Sequence, residues 1–266
     1  MVLTQKTNMG IQASTTAKIL TLLGGLWCVD SLLALIFIFR RLQMPDLSKN
    51  IFPYAKELWM YSIQRVPGDF GMAALLSIAS IMCAHMASVK EAGYIAFGVS
   101  ILSAGGSVFA PIGLVLLPQA SQMIASTDLV TLRRYVKKIL KTSLSLTLLG
   151  VIAFEIFADK LITLYLGSSF LELSSIARLM AIGIVPYTIF VTMRSIIDSY
   201  YVRAVNTRNI IICLLFFLLA GALTVSFAAS YKYLVIEFIL ALFLLGILTL
   251  IEIRQIFSQK KMDHIS

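Results

Sequence analysis

Residues 61–85, YSIQRVPGDFGMAALLSIASIMCAH, decide how the rest of the chain is read. Proline has a fixed φ and no amide hydrogen, so Pro67 fits the first turn of a helix and is disfavoured deeper inside one. After Gly68 and Asp69 the sequence turns apolar from Phe70 to Cys83, broken only by Ser77 and Ser80. The stretch therefore predicts a membrane-spanning helix from about Pro67 to Met86, with Arg65 and Asp69 at its mouth. Those two charges are four residues apart and share a face if the helix starts early enough.

Composition extends this reading to the whole chain. Hydrophobic residues make up 59% of it and charged residues only 13%, about half the charged share of an ordinary soluble domain. Mean hydropathy is +0.91. Too few charges remain to cover a soluble surface, and the apolar runs are too long and too many for a single leader or anchor. With no alternating strand pattern, the expected spans are helices.

Outward from the central stretch, the apolar runs predict about seven transmembrane helices. The others lie near 18–39, 93–117, 139–158, 173–197, 210–229 and 233–253. A basic amphipathic stretch over 119–138 reads either as a helix in the headgroup plane or as an ordinary positive-inside loop, with Pro118 closing the third span. Gly105, Gly106 and Pro111 predict a bend in that span, and Pro186 a bend in the fifth. The chain divides into a tail, one helix and connector over 1–50, a six-helix region over 51–253, and a basic tail over 254–266.

The net charge of +9 reads as positive-inside bias rather than nucleic-acid binding, since there is no polar domain to carry the charge. Alternating the seven spans puts fifteen lysines and arginines on the side of Arg40-Arg41 and six on the other. This predicts a cytoplasmic C-terminus. Cys28, Cys83 and Cys213 sit in apolar runs and read as packing residues. Neither His85 nor His264 has neighbours that would form a metal site, and no phosphate-binding loop, cofactor motif or catalytic constellation is visible. The reading is of a protein that is not an enzyme.

Intramembrane charge is costly and marks candidate sites. Arg65 with Asp69, and Arg194 with Asp198, share the same four-residue spacing. Arg178 is expected to approach a cavity from the opposite end. Asp30, alone in the first span, is the candidate for a coupling ion. Glu155 and Glu237 lie close enough to the outer boundary to reach the headgroups.

Tyr61 to Asp69 resembles the start of the second lobe in bacterial polysaccharide and O-antigen flippases, the Wzx-type members of the multidrug/oligosaccharidyl-lipid/polysaccharide exporter superfamily. Ala92-Gly93-Tyr94, the run from Pro111 to Pro118, Gln119-Ala120-Ser121 and the turn from Leu164 to Phe170 continue the likeness, which covers roughly 55–250 in loose patterns of proline, glycine and aromatics. The resemblance implies an all-α membrane protein in which six helices form one lobe of a two-lobe exporter, with one helix before it. It further implies a C-terminal fragment, a truncated product, or a chain that needs a partner for the missing N-terminal lobe.

The implied function is movement of an undecaprenyl-pyrophosphate-linked oligosaccharide across the bacterial cytoplasmic membrane by alternating access. The implied partners are membrane lipids and other polysaccharide assembly proteins. Arg65, Asp69, Arg194, Asp198 and Arg178 would line the pyrophosphate cavity, with Pro111 and Pro186 as hinges. A cation-coupled multidrug or metabolite antiporter of the same superfamily, and a non-transporting fragment, stand as alternatives.

Overall fold

A computed structural model describes residues 21–37, 40, 52–126, 128–227 and 230–259. The expected N-terminal tail, most of the 42–56 connector, and residues 260–266 with His264 lie outside them. The chain divides into two compact units, Met1–Glu57 and Leu58–Ser266. In the first unit, helix α1 (Thr21–Phe37) is apolar and exposed along its described length, Asp30 and Cys28 included.

The described residues of the second unit are mostly helical, and its first helix starts before the unit boundary at Leu58. Helix α2 (Phe52–Ile63) leads into α3 (Val66–Met86), followed by α4 (Val89–Ser107), α5 (Ala110–Ala125) and α6 (Leu129–Leu166). After a 3-10 turn come α7 (Leu173–Ile182), α8 (Ile184–Tyr200), α9 (Val205–Ser226) and α10 (Lys232–Gln259). Among the described residues, five helical stretches are long and apolar enough to cross a membrane, or six if the bent pair α4–α5 counts as one span. The expected seventh falls on α1. The protein is an all-α, multi-pass membrane protein. Its outer surface fits lipid as solvent: Leu146, Leu149, Ile152, Ile156 and Leu164 on α6 are all exposed.

Spans in sequence alternate direction, which gives the second unit two ends. One, termed the mouth, gathers Arg65, the α5–α6 turn, the α8–α9 turn and the end of α10. The other gathers the α3–α4, α6–α7 and α9–α10 turns. The stretch Leu173–Tyr200 is the most buried span, at 61%, and α8 is the central post. Around it Leu116, Leu132, Met193, Ile197 and Ile256 form the core near the mouth. Leu75, Ile95, Met180, Phe217 and Phe238 fill the core toward the far end.

Prolines set the breaks. Pro67 lies at the start of α3 behind a two-residue turn at Gln64–Arg65. Pro111 begins α5 directly after the Val108–Phe109 turn, where α4 and α5 meet at 41°. Pro186 follows the interruption at Gly183 between α7 and α8, and is seated against Gly246 of α10, where a Cβ would come within 3.0 Å of the proline ring. Each proline withholds a donor from the carbonyl four residues earlier, so the helix is interrupted at or just before it.

Three expectations need correction. Pro118 does not close its span; it sits inside α5, which continues to Ala125. It lies on the exposed side of α5. Residues 129–138 are not a separate surface helix but the first turns of the 38-residue α6, capped by Asp128 accepting from the Thr131 amide at 3.1 Å. Leu132 and Val136 pack into the core while the basic face extends α6 beyond bilayer thickness. Finally, residues 205–209, outside the span expected over 210–229, begin α9. Asn206, Thr207 and Asn209 are buried there because α3 presents Gly68, where a Cβ would lie 2.6 Å from the Thr207 hydroxyl.

The far end is held by polar contacts between loops. Lys90 pairs with Glu172 at 2.8 Å, and the Tyr94 hydroxyl donates to the same carboxylate at 3.3 Å. These donors hold the Glu172 carboxyl below the usual carboxylate range. An acid so depressed stabilises the fold above its unfolded value and loses that contribution as pH falls through the folded one. Melting temperatures of wild type and Glu172→Gln should therefore differ at neutral pH and converge below about pH 4. The gap should be small, because the pair is exposed. A gap unchanged down to about pH 3 would contradict this assignment.

Candidate functional site

The α3 break puts Arg65 at the helix entrance with its side chain turned inward. Its guanidinium lies over the Tyr61 ring at 3.4 Å from the centroid. It donates to the Tyr61 carbonyl at 3.0 Å and to the Tyr201 carbonyl at 3.2 Å. Tyr61 in turn donates its hydroxyl to the Asp198 carbonyl at 3.1 Å. The entrance of α3 is thereby tied to the end of α8.

The structure brings Arg65, Asp69, Arg194 and Asp198 together, with their partners crossed between helices. Arg65 Nε pairs with Asp198 at 3.4 Å, and Arg194 pairs with Asp69 at 3.5 Å. The four-residue spacing had pointed to pairs within each helix. The first pair is shielded, each side chain being 17% exposed; the second is open, at 44% and 70%. Both separations exceed the roughly 2.7–2.9 Å of a well-made charge-assisted bond. Arg65 Nε is buried without a hydrogen bond. Arg65 thus spends both terminal nitrogens on backbone carbonyls, whereas the half-exposed Arg194 donates through one nitrogen to Asp69 and keeps its other donors.

Arg65, Arg194 and Asp198 line one cavity of about 630 Å³ between α2–α3, the α4–α5 break and α8. Ser103, Gly106, Ser107, Ala110 and Gly113 form the wall from α4–α5, with Tyr187 and Ser195 facing them from α8. Small residues make this wall possible: a Cβ at Gly106 would overlap the Tyr187 ring, and one at Gly113 would lie 3.0 Å from Ser195 Oγ. The cavity therefore has a cationic end at the mouth and a wall built around the Pro111 bend. It can hold an anion at the arginines and an uncharged polar or aromatic-stacking group further in.

Other candidate residues lie elsewhere. Arg178 is at the far end, paired with Asp159 at 3.0 Å and Glu155 at 3.5 Å, and does not line the cavity. Glu155 and Glu237 do not reach for the headgroups as expected: Arg178 holds the first, and the Thr224 hydroxyl donates to the second at 2.5 Å. Asp30 belongs to the first unit. Pro186 is buried against α10, whereas Pro111 sits at the bend beside the cavity.

Two features were missed in the sequence. Glu252 on α10 is nearly buried and pairs with Arg208 at 2.5 Å, beside a second hollow of about 500 Å³ lined by Tyr200, Tyr201, Arg203 and Gln255. Its signal was an acid between Ile251 and Ile253 in an apolar run. The other is the Tyr201 carbonyl that holds Arg65, which no side-chain pattern announces. Burial and the Glu252 carboxylate push the Tyr201 phenol up. No protein-family model, curated protein or solved structure matches the chain.

Proposed function

We propose that the second unit is one lobe of an exporter that moves a diphosphate-linked lipid oligosaccharide across the bacterial cytoplasmic membrane, with the mouth on the cytoplasmic side. One observation carries this reading: two arginines from different spans, both incompletely bonded, line one cavity. Such a ligand has a diphosphate between a long apolar tail and a polar sugar head. Its head needs a shielded path across about 30 Å of hydrocarbon, while its tail can stay in lipid. Planar guanidinium groups bind phosphate oxygens in pairs.

In this reading the diphosphate docks at Arg65 and Arg194, the sugar lies toward Ser103 and Tyr187, and flexing at the Pro111 break changes which side the cavity faces. The orientation agrees with the basic residues at the mouth, where Arg133, Arg134, Lys137 and Lys138 on α6 join Arg203, Arg208 and Arg254. The resemblance of the sequence to polysaccharide flippases adds to the reading. Arg65→Ala should insert normally yet stop surface polysaccharide from appearing in a strain that depends on this chain. Unchanged surface polysaccharide would remove Arg65 from the mechanism.

A further inference from the structure

The arginines carry resident counter-ions, and this bears on which anions can occupy them. The cavity lies among membrane spans, so its commonest anionic neighbours are ordinary phospholipids, each with a singly charged phosphodiester. A bare pair of arginines at a cavity mouth would be filled by such headgroups. Instead each arginine is paired with an aspartate of the other helix, Asp198 lining the cavity and Asp69 exposed beside it, and the four charges sum to zero.

Parting both crossed pairs has a fixed cost, whatever displaces them. The attraction a ligand gains rises with its charge and with the number of guanidinium hydrogen bonds it makes. A phosphodiester replaces one carboxylate with a group of equal charge and strands the displaced aspartate beside it. A diphosphate carries more charge and has oxygens enough for both guanidinium groups.

Resting on the reading above, we propose that Asp69 and Asp198 are built-in occupants of the arginines that keep singly charged phospholipids out of the site and yield to a diphosphate. Their charged surroundings are limited. Arg65 and Arg194 face them from α3 and α8, the Arg208–Glu252 pair lies beyond Tyr201, and α4 and α5 bring only uncharged residues to the cavity.

The test is binding of farnesyl diphosphate to the full chain in nanodiscs of phosphatidylcholine alone and of phosphatidylcholine with phosphatidylglycerol. Phosphatidylglycerol should weaken binding to wild type by less than about 3-fold beyond the surface-potential effect seen with inorganic diphosphate. In Asp69→Asn/Asp198→Asn it should weaken binding by at least about 10-fold, because the phospholipid now competes for free arginines. Asp69→Asn alone, at an exposed position that tolerates the change, should fall between the two. Equal sensitivity to phosphatidylglycerol in all three proteins would overturn the proposal. Arg65→Ala/Arg194→Ala in phosphatidylcholine discs separates the two failures: if it binds farnesyl diphosphate as well as wild type, the diphosphate site itself is wrong.

Discussion

Arg65→Ala combined with Arg194→Ala is expected to weaken farnesyl diphosphate binding by about 100-fold or more while leaving the protein inserted and folded. Charge-assisted hydrogen bonds contribute roughly 1.5–3 kcal/mol each, and about 1.4 kcal/mol corresponds to tenfold in affinity. Arg65 should account for more of the loss, because its guanidinium is 17% exposed against 44% for Arg194 and is less screened by water. Removing Arg65 leaves the shielded Asp198 without its partner, so Arg65→Ala/Asp198→Asn is the proper background for attributing lost binding to the cation. Titration of nanodisc-embedded variants reads the effect. Affinity within about 3-fold of wild type in the double-arginine variant would refute the assignment.

Gly106→Leu is expected to produce the second large effect, on both stability and binding. The glycine lies where the α4–α5 break meets α8, and any Cβ there would overlap the Tyr187 ring. That ring borders the cavity, which offers it room to move. Overpacking of this kind typically destabilises by about 1–3 kcal/mol, and the displaced ring would take up space needed by the ligand. Thermal melting should fall and diphosphate affinity should drop by at least about tenfold. Adding Tyr187→Ala should restore much of the melting temperature by removing the group that clashes. Failure of that second change to restore stability would show that the close approach at Gly106 is not what α4 and α8 depend on.

These two expectations draw on parts of the molecule that were unequally legible in the sequence. The spans followed from unbroken apolar runs, and Pro67, Pro111 and Pro186 marked the breaks because a missing amide hydrogen acts wherever the residue sits. Pro118 misled because a proline removes one intrahelical hydrogen bond without always ending the helix, and α5 runs on past it to Ala125. The start of α9 was obscured because Asn206, Thr207 and Asn209 look like loop residues. They are helical and buried because Gly68 leaves them room and the Asn206 amide donates to the Arg194 carbonyl at 2.9 Å.

The site shows the same limit. Spacing singled out Arg65, Asp69, Arg194 and Asp198 as candidates, but spacing along one helix can propose only partners on that helix. The crossed pairing depends on how α3 and α8 flank the cavity, which is a tertiary fact. Arg178 could not be placed for the same reason, since its acids Glu155 and Asp159 come from α6.

The most direct test of the account is a solid-state measurement of carbon–phosphorus dipolar coupling between guanidinium-labelled arginine and bound farnesyl diphosphate, assigned with the single Arg65→Lys and Arg194→Lys variants. Paired phosphate contacts put the guanidinium carbon about 4 Å from phosphorus. The account predicts a coupling of that size from each of Arg65 and Arg194, each lost in its own variant. A bound diphosphate that couples to neither arginine, or only to those of the α6 basic face, would contradict it.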